Sequence, residues 1–383
     1  MNPPIYLDHH STTPLDARVL DAMLPWLRED FGNPANRSHA WGRRAWSAVE
    51  DAREQVAAAI GARPSEIVFT SGATESNAIA LQGLARTRPG AHLLTTAIEH
   101  RSVLDTCRRL EREGWALTLL PVDRDGLVDP QRLAAALRPD TLLVSVMAAN
   151  NEIGTVQPLA EIAPAVRAAG ALLHVDATQA IGRVALDVQA LDIDALALSA
   201  HKIHGPKGCG MLYLRSRPRR VEPLPLMEGG GQERGLRPGT LNVPGIVGLA
   251  AACTIAVAER EAESARLRGL RDRLWARLAA GIAGLRLHGH ATQRLPGNLN
   301  VGIPGVEADA LLLALDGIAV SAGAACASGS ARPSHVLQAI GAAEPGQVRA
   351  ALRFGLGRGN TEAEIDAAGD AVVHAVARLR AST

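Results

Sequence analysis

Two lysines, five positions apart, are the residues of this chain best suited to covalent chemistry. Among 40 lysine and arginine residues, Lys202 and Lys207 are the only lysines. Arginine carries surface charge equally well, but its guanidinium stays protonated, whereas a lysine amine can lose its proton and form a Schiff base with a carbonyl group. A coding bias against lysine would also leave two residual solvated charges. The neighbouring residues must decide between these interpretations.

A second candidate for covalent chemistry is Cys326. It lies within residues 321–333, a run of small residues that predicts a mobile loop with no apolar pocket around the thiol. The other cysteines, Cys107, Cys209 and Cys253, are expected to be structural. No two cysteines form a C-x-x-C pair, which argues against a disulfide framework or a zinc knuckle and suits a reducing compartment.

Residues 71–76 form a candidate phosphate cradle. A β-branched stretch at 66–70 predicts a strand before this turn, and an apolar periodic helix is expected to run from Asn77 onward through Leu84. A helix that begins at a tight turn presents free backbone N–H groups to an anion. The turn has no G-K-[ST] and is not a P-loop, so by itself an ordinary capped turn explains it as well.

The chain around these residues alternates strands and helices. Apolar β-branched runs predict strands, and amphipathic periodicity predicts helices between them. This alternation predicts a mostly parallel sheet covered by helices on both faces, an α/β fold. The predicted strands are 5–7, 92–96, 116–121, 141–147, 171–175 and 195–199, and the helices are 16–27, 39–60, 102–113, 130–137 and 159–169.

The C-terminal third predicts a smaller α+β domain. A long helical stretch at 247–278, apolar first and then highly charged, is expected to connect the two domains. Strands at 299–301 and 318–320 and a closing helix at 362–379 follow it. The predicted organisation is an N-terminal segment that joins the small domain, a large cofactor-binding domain and the small C-terminal domain with the Cys326 loop, at residues 1–15, 16–255 and 256–383.

Ligands of such sheets gather at the carboxyl ends of the strands. This rule selects the cradle, His100, a carboxylate at Asp176 and the amine of Lys202. An imine-forming lysine, a carboxylate and a phosphate site are together what pyridoxal phosphate requires. Asp176 would then keep the pyridinium nitrogen protonated, and His100 would lie over the ring and shuttle protons, because imidazole titrates near neutrality.

The motifs that carry these residues resemble those of the cysteine desulfurases, class V aminotransferase-like enzymes of fold type I. The similarity extends from Tyr6-Leu7-Asp8 to Leu352-Arg353-Phe354. Its most specific parts are Ser-Ala-His-Lys and Gly-Pro-Lys-Gly at 199–202 and 205–208, His-Val-Asp-Ala-Thr-Gln at 174–179, Thr-Ser-Gly-Ala-Thr-Glu-Ser at 70–76 and Asn-Asn-Glu-Ile-Gly at 150–154.

The resemblance implies a role for each matching residue. Lys202 would hold the cofactor aldehyde, with Asp176 on the pyridinium nitrogen and His100 stacked on the ring. Asn151 and Gln179 would contact the side of the ring hydroxyl. The phosphate would be bound by Ala73, Thr74, Ser199 and His201, and the substrate carboxylate by Arg353, with Asn33 and Asn151 nearby.

The resemblance also implies a homodimer and a reaction. The glycine-rich segment 229–240 is similar to the one that carries a threonine, here Thr240, to the phosphate of the other subunit. Cys326 would take sulfur from L-cysteine as a persulfide, leave L-alanine, and pass the sulfur to an acceptor protein for iron–sulfur cluster assembly or tRNA thiolation. Ala324 and Ala327 stand where hydroxyl residues are common in the family, so the activation of the thiol is left open.

Other functions remain open at this point. A selenocysteine lyase or a class V aminotransferase would use the same lysine and aspartate, although an aminotransferase needs no loop cysteine. A catalytically silent scaffold for sulfur-handling partners is a non-enzymatic alternative. A nicotinamide site is disfavoured because no G-x-G-x-x-G opens a helix after an early strand.

Composition limits the remaining partners. With a net charge of +1 and 47% hydrophobic residues, the chain has no excess of positive charge for general nucleic-acid binding. No apolar run reaches the roughly 18 residues of a membrane span, and the first residues do not form a signal peptide. The adjacent His9 and His10 seldom point at one ion, so no metal site is predicted. A cytoplasmic location is expected.

Overall fold

Helices cover a central sheet in the computed structural model, which describes residues 4–322, 334–342 and 350–382. Apolar residues face inward along most of these helices, and polar residues face outward. The helices are α1 (Ala17–Arg28), α2 (Ala40–Ala59), α3 (Ala73–Ala85), α4 (Arg101–Arg112), α5 (Pro130–Ala136), α6 (Leu159–Ala168), α7 (Val243–Ala258), α8 (Arg260–Gly281), α9 (Ala308–Ala314), α10 (His335–Ala339) and α11 (Glu362–Ala381).

The central sheet has seven strands, and its inner strands are buried on both faces. Five neighbouring strands run parallel, whereas each of the two strands at one edge runs antiparallel to the strand beside it. In spatial order the strands are β2 (Ile67–Thr70), β8 (Gly210–Leu214), β7 (Ala195–Ser199), β6 (Leu172–Asp176), β5 (Thr141–Ser145), β3 (His92–Thr96) and β4 (Ala116–Leu120).

A second, antiparallel sheet belongs to the C-terminal part of the chain. A hydrophobic cluster that includes Leu7, Leu274 and Phe354 packs it against α8 and α11. The N-terminal strand β1 (Ile5–Tyr6) pairs with β11 (Ile318–Ala319). The antiparallel sheet itself contains β12 (Ser321–Ala322), β13 (Ala350–Gly355), β10 (Asn298–Ile303) and β9 (Arg286–His288), in that order.

The predicted fold class is confirmed: a mostly parallel, helix-covered sheet is followed by a smaller α+β part. Strands β3 and β7 have the predicted bounds. Helix α3 begins at Ala73, four residues earlier than expected, so the cradle includes its first turn. The sequence arguments did not predict β8, β9 or β13, and the domain boundaries proposed from sequence remain a prediction.

The stretch predicted to be helical at 247–278 is helical on both sides of one bend, and it begins earlier than predicted, at Val243. The chain forms two helices, α7 and α8, which meet at a bend of 71° at Glu259. Asn242 caps the start of α7, and at the bend the Glu259 carboxylate accepts hydrogen bonds from Arg18. Helix α7 packs against α1 and α2, whereas α8 packs against α11, so each helix belongs to a different hydrophobic cluster.

No single helix among the described residues has the length and apolarity needed to cross a membrane. Helices α7 and α8 meet these criteria only when they are joined across their bend, and the apolar residues of α7 are buried in the core of this chain.

Candidate active site

A cavity of about 950 Å³ lies between the carboxyl ends of the parallel strands and the second sheet. Chain segments far apart in sequence meet there because the loops after β2, β3, β5, β6 and β7 all leave the same edge of the sheet. Of the residues predicted from sequence, those that line the cavity are Ala73, Thr74, His100, Asn151, Asp176, Gln179, Ser199, His201, Lys202 and Arg353.

Lys202 ends the short 3-10 turn that follows β7 and is half-buried in the cavity wall. Its Nζ donates hydrogen bonds to the main-chain oxygens of His10 and Ser11, both at 2.7 Å. Burial, followed by the nearby charges of Arg353 and Arg183, lowers the pKa of this amine to about 8. About one tenth of the side chains are therefore neutral at pH 7, compared with less than about 0.1% at an ordinary lysine pKa.

The cradle is formed where β2 ends and α3 begins. The first backbone N–H groups of a helix lack intrahelical acceptors, so those of Ala73 and Thr74 are available to an anion. Gly210 of β8 lies so close that a Cβ there would be 2.6 Å from the Cα of Gly72. Ser199 also lines this part of the cavity. This close approach requires glycine at position 210.

His201 contributes a neutral imidazole beside the cradle. Its Nδ1 lies 3.1 Å from Oγ1 of Thr12. Burial and the charges of Lys202 and Lys207 lower its pKa to about 4. The ring therefore offers an N–H group and no charge at neutral pH, which suits a hydrogen bond to an anionic oxygen.

Asp176, the last residue of β6, is buried and held by two hydrogen bonds. Oδ2 accepts from Nδ2 of Asn77 at 2.8 Å, and Oδ1 accepts from the main-chain N of Thr178 at 3.0 Å. The carboxylate is thus fixed in orientation while it lines the cavity. A carboxylate in this position can hold a proton on a ring nitrogen.

His100 caps the start of α4 and is exposed to the cavity. Its Nδ1 accepts a hydrogen bond from the main-chain N of Ser102 at 3.1 Å and lies 2.8 Å from Oγ of the same residue. The surrounding protein dehydrates the imidazole in part and lowers its pKa.

Gln179 is held by two basic residues. Its Oε1 accepts from Nη1 of Arg183 at 2.8 Å and lies 3.1 Å from Nδ1 of His10, and its Nε2 donates to the main-chain O of His10 at 2.9 Å. Because an amide oxygen only accepts, Nδ1 of His10 carries the proton. The Nε2 of His10 is then an acceptor, buried and without a partner among the described residues.

Arg353 reaches the cavity from β13. Its Nη2 donates to Oδ1 of Asp8 at 2.9 Å and to the hydroxyls of Ser11 and Ser321, and its Nη1 donates to the main-chain O of Asn151 at 3.0 Å. Its buried Nε has no partner among the described residues. The guanidinium is therefore fixed in orientation and retains an unused donor.

Two of the predicted residues that the structure describes lie outside the cavity wall. Asn33 is exposed in the turn between α1 and α2, where its Oδ1 accepts from the main-chain N of Ala35, and Thr240 is exposed at the end of its glycine-rich segment. Their roles stay predictions. Cys326 lies outside the described residues.

Some residues that contact the predicted site residues had no role in this site predicted from sequence. His10 was considered only for metal binding, together with His9; no group of metal-ligating side chains occurs in the described parts of the chain. Asn77 and Ser102 looked like ordinary residues at the start of helices.

Comparison with known proteins agrees with this geometry. The family model "Aminotransferase class-V" matches residues 5–368. The chain is 52% identical over 382 residues to "Cysteine desulfurase IscS" of Anaeromyxobacter sp. (strain Fw109-5). The match covers 99% of this chain and 94% of the relative. The chain belongs to the cysteine desulfurases of the class-V aminotransferase family.

Solved structures of this family have the same fold. A structure described as "NIFS-LIKE PROTEIN" superposes with a TM-score of 0.91 at 39% identity and covers 98% of this chain and 100% of its own. A structure described as "SspA in complex with cysteine" has a TM-score of 0.81 at 38% identity and covers 92% and 98%.

Family membership implies pyridoxal phosphate as the cofactor, and the cavity has groups that fit it. The start of α3 offers donors to a phosphate, and Asp176 offers a carboxylate to a ring nitrogen. Three residues of the cavity wall also carry a buried polar atom without a partner in the described chain, which suits a polar ligand; the atoms are Nε2 of His10, Oγ1 of Thr178 and Nε of Arg353.

Proposed function

We propose that this protein, a cysteine desulfurase by family, converts L-cysteine to L-alanine with pyridoxal phosphate and carries the sulfur as a persulfide on Cys326. The observation that supports the proposal best is the presence of Lys202, Asp176, His100, the cradle and Arg353 in the wall of one cavity. These residues supply an amine, a carboxylate, an imidazole, an anion site and a carboxylate-binding guanidinium.

The residues that would hold the cofactor follow from their chemistry. Lys202 would hold the cofactor through its aldehyde, Asp176 would keep a proton on the ring nitrogen, and Asn151 and Gln179 would contact the side of the ring hydroxyl. Ala73, Thr74, Ser199 and His201 bind the phosphate. When bound, pyridoxal phosphate supplies a sink for the electrons released at the carbon atoms of the substrate.

Arg353 positions the substrate. Its planar guanidinium lines the cavity and is oriented by Asp8 and Asn151, so it can bind the carboxylate of an amino acid. The family resemblance assigns Asn33 a part in this binding as well, from its exposed position outside the cavity wall of this chain. The neutral fraction of Lys202 can take a proton from the substrate, and His100 holds a proton at its imidazole for the later steps.

The sulfur step uses Cys326. Its thiolate attacks the sulfur of the substrate, a new S–S bond forms, and the bond between that sulfur and Cβ breaks with its electron pair staying on carbon. Cβ then takes a proton, which leaves alanine and one persulfide for each cysteine consumed. An acceptor protein, such as an iron–sulfur scaffold or a tRNA thiolation factor, receives the sulfur.

The enzyme is expected to act as a homodimer in the cytoplasm. Thr240 is exposed, as is required of a residue that binds the phosphate in the other subunit. Large apolar side chains are exposed on and around α1 and α2, where a subunit interface would cover them; they are Leu20, Leu27, Phe31, Trp41 and Trp46. Cys107, Cys209 and Cys253 are free and buried, which suits a reducing compartment.

The test measures alanine and protein-bound sulfur from L-cysteine, with L-selenocysteine and with L-alanine plus a keto acid as alternative substrates. Wild-type enzyme should release alanine and form one persulfide per chain, whereas Cys326→Ser should keep the cofactor's visible absorption and lose persulfide formation. Lys202→Ala should lose that absorption band. Full turnover in Cys326→Ser, or preference for either alternative substrate, would contradict the proposal.

A further inference from the structure

A continuous hydrogen-bonded chain links Asp176 to His100. It runs from Oδ2 of Asp176 to Nδ2 of Asn77 (2.8 Å), from the same Nδ2 to Oγ of Ser102 (2.9 Å), and from Oγ to Nδ1 of His100 (2.8 Å). Asn77 is fully buried, and Ser102 is half-buried on the first turn of α4.

The donor and acceptor in each link can be assigned from the fixed end. The Asp176 carboxylate only accepts, so the nitrogen end of the Asn77 amide must face it. The same nitrogen donates to Oγ of Ser102, which leaves the hydroxyl hydrogen of Ser102 free for Nδ1 of His100. The main-chain N–H of Ser102 also donates to Nδ1 at 3.1 Å.

Nδ1 of His100 therefore accepts hydrogen bonds from two donors, the hydroxyl and the main-chain N–H of Ser102. A nitrogen that accepts hydrogen bonds carries no proton in the neutral ring, so the proton of His100 is on Nε2. Protonation of Nδ1 would bring its N–H against both donors and next to the positive end of α4, which disfavours the imidazolium form.

We propose that Ser102 is a positioning residue that, with Asn77, holds His100 as the neutral tautomer with its proton on Nε2. His100 then lines the cavity as a hydrogen-bond donor, able to stabilise negative charge on substrate sulfur or oxygen as it develops. The inference rests on the proposed function, since His100 acts in that reaction, and it names a residue that controls its protonation.

Other charges act on the same ring and must stay constant in a test. Those of Asp176 and Asp105 favour its charged form, whereas those of Lys202 and Arg101 oppose it, and His335 lies on the neighbouring helix α10. Replacing Ser102 changes none of these charges. The effect of the hydroxyl is therefore separable from that of its surroundings.

The experiment uses cofactor-loaded, full-length enzyme with ¹⁵N-labelled histidine rings, studied by solid-state NMR over a pH series. The signal of His100 is identified by subtracting the spectrum of His100→Gln. Wild-type enzyme should show the Nε2–H tautomer. Ser102→Ala should raise the pKa of His100 by roughly 0.5 to 1, as loss of one hydrogen bond predicts, and move the acidic limb of the kcat/KM profile by the same amount.

Two further variants test the role of the hydroxyl itself. Ser102→Thr keeps the hydroxyl and should restore both wild-type values. Thr106→Val removes a hydroxyl one turn further along α4 that donates only to the main-chain O of Ser102, so it should leave both unchanged. A wild-type Nδ1–H tautomer, or an unchanged pKa in Ser102→Ala, would overturn the inference.

The inference and the proposed function can fail separately. If the wild-type enzyme released no alanine from cysteine but showed the expected tautomer and the shift in Ser102→Ala, the positioning role would stand and the function would be wrong. If the wild-type enzyme released alanine but the pKa of His100 were unchanged in Ser102→Ala, the proposed function would stand and the positioning role would be wrong.

Discussion

Positive charge surrounds the one lysine that must be able to lose its proton. Nη2 of Arg183 donates to the main-chain O of Lys202 at 2.8 Å and its Nη1 donates to Gln179, while Arg353 lies on the cavity side. Asp8 and Asp176 act in the opposite direction, but burial and the two arginines prevail and lower the pKa of Lys202. Arg183 thus supports the geometry of the loop and the neutral form of the amine.

Replacing Arg183 with glutamine should therefore raise the pKa of Lys202 by roughly 0.5 to 1, the effect of removing a nearby charge at an effective dielectric constant near 20. The chain has only two lysines, so enzyme without cofactor and with ¹³C-labelled lysine gives only two Cε signals to titrate by NMR. Arg378→Gln, an exposed change on α11, is the matched control. Equal titration in all three proteins would contradict the role of Arg183.

Glu99 is a buried carboxyl group at the end of the β3 loop. Its Oε1 accepts from Oγ1 of Thr96 and the main-chain N of Met147, both at 2.8 Å, while Oε2 has no partner in the described structure. Burial raises its pKa to about 8. The folded chain therefore keeps a proton that the unfolded chain releases above about pH 4.5.

From this difference we expect the free energy of unfolding to fall by about 1.4 kcal/mol per pH unit between about pH 5 and pH 8, and to level off above that range. Glu99→Gln cannot ionise and should remove this part of the pH dependence. Urea unfolding of the two proteins at several pH values measures it, with the surface change Glu113→Gln as the control. Parallel pH dependences for wild type and Glu99→Gln would show that Glu99 ionises normally.

At the scale of residues, sequence was sufficient where a functional group follows a strand directly. Lys202, Asp176 and His100 follow or end β7, β6 and β3, and the strand-end rule brings them to one cavity. Asn77 contacts Asp176 across 99 positions of sequence, and this pairing depends on how α3 packs over the sheet. Local sequence patterns do not reveal how α3 packs over the sheet.

At the scale of elements, strand β8, one of the strands not predicted from sequence, shapes the cradle. Strand β8 follows β7 with no α-helix between them and runs antiparallel, so it falls outside the βα alternation on which the prediction depended. Its first residue, Gly210, pairs with Thr70 and with Ser199, and it approaches Gly72 closely. The cradle thus depends on the side-chain size at one position of β8.

Gly210→Ala should destabilise the fold by about 1 to 3 kcal/mol and weaken cofactor binding, because the new Cβ would lie 2.5 Å from the main-chain O of Leu198 and 2.6 Å from the Cα of Gly72. The same substitution at Gly269, which is exposed on α8 with no atom within 4 Å of the added Cβ, should be neutral or stabilising. Spectroscopic titration with pyridoxal phosphate and thermal unfolding measure both effects. Unchanged cofactor affinity in Gly210→Ala would show that the cradle tolerates the shift.

At the scale of the whole molecule, the cavity needs both parts of the chain. The large sheet supplies Lys202 and Asp176, and the second sheet supplies Arg353 on β13, whose guanidinium bonds to Asp8 near the N-terminus and to Asn151. Sequence predicted a separate C-terminal part but left out β13 itself. Strand β13 is buried along its whole length, so it lacks the alternation of apolar and polar residues that marks a half-exposed strand.

The segment that ends in Thr240 is anchored to its own subunit and still leaves that residue exposed. The buried Glu233 carboxylate accepts from Arg53 at 2.7 Å and from the main-chain N of Phe69 at 2.8 Å, and Arg237 donates to Glu75 in the first turn of α3. The segment is thus fixed beside the cradle. A rigid, exposed threonine of this kind can complete a site on a neighbouring chain at little entropic cost.

If Thr240 binds the phosphate in the partner subunit, two defective subunits should together form one complete site. Lys202→Ala removes the amine of its own cavity but supplies Thr240, whereas Thr240→Ala keeps Lys202 and lacks the threonine. A heterodimer of the two, made by co-expression with different tags, should bind one cofactor with wild-type affinity and reach about half the wild-type turnover. Each homodimer should fall well below that level, because Thr240→Ala loses a phosphate hydrogen bond at both sites.

The same experiment separates the competing arrangements. If Thr240 acts within its own chain, the heterodimer contains no complete site, and its cofactor affinity matches that of the Thr240→Ala homodimer. If light scattering finds only monomers, the exposed apolar residues around α1 and α2 have another partner and the predicted dimer is wrong. Recovery in the heterodimer requires both a dimer and a threonine that crosses the interface, because neither alone restores a site that contains Lys202 and Thr240 together.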